Sequence, residues 1–157
     1  MKNEDVVTLF DAYSNDLYRF ALLYLGSIQD AEDIVQEVFL KLLDKHMFFE
    51  RKNEKAYLLT MTANRCKDHL RSSSRNETVD LESVEWQLAD NERFTERHRA
   101  VFDELMRLED TFRVPIYLHY YSGYSYKEIS KILKISESAT AMRISRGKEQ
   151  LRIRLEE

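Results

Sequence analysis

The stretch from Tyr124 to Lys148 constrains this chain more than any other. It has room for two short helices and a tight turn. Ser125 can cap the first helix, and Glu128 three residues on completes a capping box, which satisfies two otherwise orphaned N–H donors reciprocally. Ile129, Ile132 and Leu133 follow as an apolar stripe at helical spacing. Ile135 plugs the turn, and Ser136 caps the second helix. That helix carries Arg143, Arg146 and Lys148, with Arg152 and Arg154 beyond. A bracing helix and a cationic helix across a tight turn make the pattern of a helix-turn-helix. In such a motif the second helix lies in a major groove and its cations meet phosphate.

The rest of the chain reads as helical too. Only three Gly and one Pro occur in 157 residues, and β-branched runs are short, so little interrupts a helix. Val6, Leu9, Phe10, Tyr13, Leu17, Phe20, Ala21 and Tyr24 form one stripe, ended by Gly26 as a C-cap. Ser27 with Asp30 opens a second helix to about Lys45, with Ile34, Val35, Val38, Phe39, Leu42 and Leu43 as its buried side. Residues 46–53 connect it to a third helix from about Glu54 to Arg75. The inner stripe there is Leu58, Leu59, Thr62, Ala63, Cys66 and Leu70. Further helices are expected up to about Leu108 and from about Arg113 to Ser122, with Gly123 as terminator. The single Pro115 then falls in a first turn, where its missing N–H costs nothing.

The net charge of −4 looks wrong for a nucleic-acid binder until it is divided. Residues 1–75 hold 11 Lys/Arg and 12 Asp/Glu. Residues 76–96 hold one Arg and seven acids, and residues 97–157 hold 12 basic and nine acidic residues. The acidity therefore sits in a polar middle segment, while the C-terminal part is net basic. The expected architecture is all-α: a helical domain over 1–75, a flexible acidic linker over 76–95, and a helix-turn-helix domain over 96–157.

Two helices of the first domain carry opposite charge. Asp30, Asp33, Gln36, Glu37 and Leu40 fall at i, i+3, i+4 and i+7 steps on the outer side of the second helix. The pattern fits a solvated face, which is what charge runs usually are, and the sharper reading is a docking face for a basic partner helix. Residues 51–75 hold Arg51, Lys52, Lys55, Arg65, Lys67, Arg71 and Arg75 against Glu54 and Asp68, with Tyr57, Asn64 and His69 interleaved. Cations with aromatics suit single-stranded or distorted nucleic acid, although a solvated basic face has the same composition.

No enzyme constellation stands out. His46, His69, His98 and His119 lack metal-ligand spacing, the three glycines are too far apart for a phosphate loop, and Cys66 alone can form no internal disulfide. No metal and no cofactor is expected. The polar N-terminus is no signal peptide, and no apolar run reaches the ~18 residues of a membrane span. The expectation is a cytoplasmic chain with no membrane insertion.

Three segments together resemble a known family. Asp30-Ala31-Glu32-Asp33-Ile34-Val35-Gln36-Glu37-Val38-Phe39-Leu40-Lys41-Leu42 resembles the helix by which sigma factors grip the clamp of bacterial RNA polymerase. Residues 56–71, Ala56-Tyr57-Leu58-Leu59 through Asp68-His69-Leu70-Arg71, resemble the promoter-melting and −10 recognition helix that follows it. Residues 123–148 resemble the helix-turn-helix that reads the −35 element. There Ala139-Thr140-Ala141-Met142 stand where the family usually has Thr-Val-Lys-Ser, so Thr140 takes the place of a common packing valine. The three motifs cover nearly the whole chain, whose length matches the small two-domain, extracytoplasmic-function (ECF) subgroup.

The resemblance implies a sigma factor, without enzymatic activity, whose first domain is region 2-like and whose second is region 4-like. Core polymerase, through its clamp helices and flap, and promoter DNA would be partners, with an anti-sigma factor as regulator; the free chain would be a monomer. Asp30, Asp33, Gln36, Glu37 and Leu40 would dock on polymerase. Tyr57, Asn64, Arg65, Lys67, Asp68, Arg71 and Arg75 would hold the −10 element. Ser136, Ser138, Thr140, Met142, Arg143, Arg146 and Lys148 would meet the −35 element. The alternatives are a stand-alone helix-turn-helix regulator binding DNA as a dimer, and, more remotely, an adaptor that binds only proteins.

Overall fold

The computed structural model describes residues 3–44, 53–72 and 96–156, and the regular structure among them is helical throughout. In chain order the helices are α1 (Asn3–Leu25), α2 (Ile28–Asp44), α3 (Glu54–Ser72), α4 (Glu96–Arg107), α5 (Asp110–Tyr120), α6 (Tyr126–Leu133) and α7 (Glu137–Glu156). They fall into two compact units, one within residues 1–78 and the other within 79–157. The all-α expectation is met. The acidic segment 76–95 lies outside the described residues.

In the first unit α1 and α2 form a hairpin because Gly26 can take φ 72, a left-handed conformation that favours glycine. Its N–H donates to the Leu22 carbonyl at 2.7 Å. Ser27 then caps α2: its Oγ accepts from the Asp30 N–H at 3.3 Å and its carbonyl from the Ala31 N–H at 3.0 Å. α3 packs against both helices. Leu17, Phe20, Leu22 and Leu23 of α1 meet Val38 and Leu42 of α2 and Leu58, Ala63 and Cys66 of α3 in one closed core. Cys66 is buried, as its place in the stripe suggested. Tyr13 and Leu70 of the expected stripes are half-buried, and Phe10 and Leu43 are each 46% exposed. The latter two lie at the rim of their stripes, at the open end of the hairpin.

In the second unit α7 is the element that α4, α5 and α6 all touch. Its buried stripe is Thr140, Ile144, Gly147 and Leu151. Opposite it lie Phe102, Leu105 and Met106 of α4, Val114, Ile116 and Leu118 of α5, and Ile129, Ile132 and Leu133 of α6. Arg113 is buried although cationic; its guanidinium donates to the Met106 and Leu108 carbonyls at 3.1 and 2.8 Å. These acceptors lie in the last turn of α4 and just past its end, so the charge is met by carbonyl dipoles.

The expected start of α5 is corrected. The Glu109 carbonyl accepts from the N–H groups of Phe112 and Arg113, which opens the helix at Asp110, before Arg113. Pro115 therefore sits inside the helix rather than in its first turn. Having no N–H, it leaves the Thr111 carbonyl without its i+4 donor.

The helix-turn-helix forms as its sequence requires. Glu128 N–H reaches Ser125 Oγ at 3.1 Å and Ser125 N–H reaches Glu128 Oε1 at 3.0 Å, closing the capping box. The turn runs through Lys134 at φ 55, a left-handed C-cap whose N–H donates to the Ser130 carbonyl. Ser136 Oγ accepts from the Ala139 N–H at 3.0 Å and starts α7.

Gly147 lets the Ile116 and Phe112 side chains of α5 pack directly against the backbone of α7. A Cβ there would lie 2.6 Å from Ile116 Cδ1 and 3.1 Å from Phe112 Cβ. Gly147→Val should lower the unfolding free energy by about 1–3 kcal/mol through overpacking. Gly147→Ala should be near neutral, because about 1 kcal/mol of helix propensity offsets a shift of the Ile116 tip. Urea unfolding checks both, and an unchanged Gly147→Val midpoint would contradict the close approach.

Candidate protein-docking and nucleic-acid surfaces

α2 can bury only one side. Ala31, Ile34, Val35, Val38, Phe39 and Leu42 face the core, which turns Asp33, Gln36, Glu37 and Leu40 to solvent on the other. Leu40 is 58% exposed among these polar neighbours. Leu43 follows it at i+3. The Phe10 ring meets Phe39 edge-on at 5.0 Å, which sets Phe10 and Val7 of α1 beside the same end of α2. Val7, Phe10, Leu40 and Leu43 are the exposed large hydrophobics of the first unit's described residues. The sequence reading assigned Phe10 and Leu43 to the core and left Val7 out. The available signal was that each lies at the edge of its apolar stripe.

Asp30 is placed differently from its four companions. It is half-buried, and its Oδ2 lies 3.1 Å from Nε2 of His69 on α3. Glu37 Oε2 lies 3.4 Å from Nη1 of Arg65. The acidic face of α2 and the basic face of α3 thus share an edge, stitched by Asp30–His69 and Glu37–Arg65. A second edge joins α3 to α1: Lys55 Nζ is 3.5 Å from Asp16 Oδ2, and the Tyr13 hydroxyl donates to Glu54 Oε2 at 3.4 Å.

On α3 the buried residues Leu58, Leu59, Thr62, Ala63 and Cys66 fix what faces out. Tyr57, Asn64 and Arg71 recur at seven-residue steps, one ridge on the far side, with Lys67 and Asp68 beside it. Arg71 and Asp68, both largely exposed, approach to 4.0 Å. Arg65 is the member of the expected group that leans toward α2. Arg75 lies outside the described residues.

On α7 one expectation is corrected. Thr140 is 0% exposed, and its hydroxyl donates to the Ser136 carbonyl at 3.0 Å. It faces the interior because it belongs to the stripe that includes Ile144 and Gly147. Ser136, Ser138, Met142, Arg146 and Lys148 are exposed and Arg143 is half-buried. The cations then divide. Arg152 is paired with Glu149 and Glu156, which holds the Glu149 carboxyl below its ordinary pKa, and Arg154 lies 3.8 Å from Glu104. Arg143 and Arg146 have no ion pair among the described residues. Lys148 Nζ lies 5.6 Å from the centre of the Tyr120 ring, a cation–π contact.

Among the described residues no group of His, Cys, Asp and Glu is disposed to hold a metal ion, and no helix is long and apolar enough to cross a membrane.

Residues 9–76 match the family model of sigma-70 region 2, and residues 98–151 match that of sigma-70 region 4. The ECF RNA polymerase sigma factor SigX of Bacillus subtilis is 29% identical, over 94% of this chain and 82% of that one. SigM of the same organism, also an ECF sigma factor, is 26% identical, over 92% and 91%. The chain belongs to the ECF subgroup of the sigma-70 family. Its fold is shared with the sigma factor RpoE of Bartonella quintana, solved with the anti-sigma factor NepR (TM-score 0.66, 21% identity, 98% of this chain and 95% of that one). The ECF sigma factor SigJ of Mycobacterium tuberculosis is also similar (TM-score 0.63, 25% identity, 92% and 52%). In this sigma factor the region 2 match takes in α1, α2 and α3, with the acidic and basic faces, while the region 4 match takes in the helix-turn-helix. A stand-alone helix-turn-helix regulator would not account for region 2, so that alternative is not favoured.

Glu37–Arg65 is a half-exposed pair, with side-chain exposures of 50% and 36%. Its coupling should be about 0.2–1 kcal/mol and should fade with salt. A double-mutant cycle of Glu37→Ala and Arg65→Ala in urea unfolding measures it, and a coupling well above that range would mean the pair is a structural anchor.

Proposed function

We propose that this chain binds core RNA polymerase through the outward face of α2 and directs it to promoters through α3 and α7. The observation that carries the reading is the division of α2. One side builds the core of the region 2 unit. The other offers Asp33, Gln36, Glu37 and Leu40 to solvent, three polar side chains around an exposed leucine. That composition suits the basic clamp helices of polymerase, and the neighbouring Leu43, Phe10 and Val7 give such a partner further apolar area. Asp30, half-buried and paired with His69, adds its carboxylate at the edge of that face.

The outward ridge of α3 supports a −10 role. Tyr57, Asn64, Lys67, Asp68 and Arg71 offer stacking and hydrogen-bonding groups to an opened strand, Arg65 stands at the flank, and Arg75 would extend the cationic end. The exposed face of α7 supports a −35 role, in which Ser136, Ser138, Met142, Arg143, Arg146 and Lys148 meet the groove and its phosphates. Thr140 contributes by seating α7 in the core. Region 4 would also meet the polymerase flap. An anti-sigma factor is the proposed regulator, in line with the NepR complex of the Bartonella sigma factor.

Glu37→Lys should abolish binding to core polymerase while leaving the unfolding midpoint close to the wild type, since the side chain is exposed. An unchanged affinity in a pulldown with core enzyme would remove α2 as the docking helix. On α7 the paired and unpaired cations should behave differently. With polymerase present, Arg146→Ala should weaken promoter binding and reduce the salt slope by about 1. Arg152→Ala should leave the slope unchanged, because Glu149 and Glu156 already neutralise it. Equal effects of the two substitutions would contradict that division.

A further inference from the structure

We infer that Met142 makes the −35 site thymine-specific at one position, by packing its thioether against the 5-methyl group of that base. The inference rests on α7 being the helix that enters the major groove, and deepens that reading. At roughly 100° per residue, position 142 lies about 200° around α7 from buried Thr140, on the face opposite the core. Met142 is 50% exposed there. Its helical neighbours on that face are Ser138 and Ala139 one turn before it, with Ser145 and Arg146 one turn after. Three of these four are small, so the methionine stands above a low platform on which Arg146 is the one long neighbour.

The chemistry then selects the base. A thioether donates no hydrogen bond and accepts only weakly, so it gains little from N7, O6, N6 or N4 groups. The one apolar feature that a base pair presents in the major groove is the thymine methyl. Polar groups on the other bases would lose water against Met142 and receive no partner in return. Methionine is also unbranched and flexible, so it can follow the methyl without a fixed rotamer. Arg143 and Arg146, unpaired and close by, remain for phosphate or guanine contacts and do not compete for that position.

The test removes the methyl and nothing else. The chain is combined with core polymerase, and its preferred promoter is selected from a randomised library. Each thymine of the −35 region is then replaced singly by deoxyuridine. The wild type should lose about three- to tenfold in promoter affinity at one thymine position. Met142→Ala should bind the thymine and deoxyuridine promoters alike. Met142→Gln, which keeps length and helix propensity, should shift the preference at that position toward adenine. Loss at no thymine, or a loss that persists in Met142→Ala, overturns the inference while leaving the groove-entry reading intact. If the substitutions at 142 and Arg146→Ala all leave promoter selection unchanged, the groove-entry reading itself fails.

Discussion

The approach of α7 to α5 at Gly147 sets the rotation of the helix that carries the second unit's surface chemistry. Ile116 and Phe112 occupy the space where any side chain at 147 would stand. With that point fixed, Thr140, Ile144 and Leu151 must also turn inward, because one helix has one buried stripe. The remaining assignments follow by angle. Thr140 becomes a packing residue, Met142 moves to the opposite face, and Arg143 and Lys148 fall on either flank. A rotation of one residue would exchange these roles, which is why packing inside the unit decides chemistry on its surface.

The same logic shapes the first unit, with charge added. α2 and α3 each give one side to a common core, and their outer sides carry opposite charges. The two sides are joined at their edge by Asp30–His69 and Glu37–Arg65. These contacts are partly exposed and individually weak, so burial of Phe20, Leu42, Leu58 and their neighbours holds the helices together. The pairs set local side-chain directions: Arg65 leans toward α2, away from the ridge of Tyr57, Asn64 and Arg71. A partner for the acidic face and a partner for the basic face would therefore meet residues that already touch each other.

Much of this was legible in the sequence because period and caps agree. Gly26 with Ser27, and Ser125 with Glu128, are local signals whose hydrogen bonds need no distant partner, and the structure forms them. The misreadings arose where packing between elements decides. The start of α5 was expected near Arg113, but the turn at Glu109 and the docking of Arg113 on the Met106 and Leu108 carbonyls open it earlier. Phe10 and Leu43 fit the helical period yet lie past the rim of the core, since periodicity gives a direction and not the extent of the opposing surface. Thr140 was grouped with the residues facing DNA although it stands at a common packing position, and the stripe with Ile144 and Gly147 turns it inward. The local neutralisation of Arg152 and Arg154 was likewise invisible in a count of cations.

The most direct test of the account is run-off transcription with core RNA polymerase on a library of promoter sequences, with and without this chain. The account requires transcripts that depend on the chain and start downstream of templates sharing two separated sequence elements, one for each unit. Transcripts that are the same without the chain, or that share a single symmetric element, would contradict it.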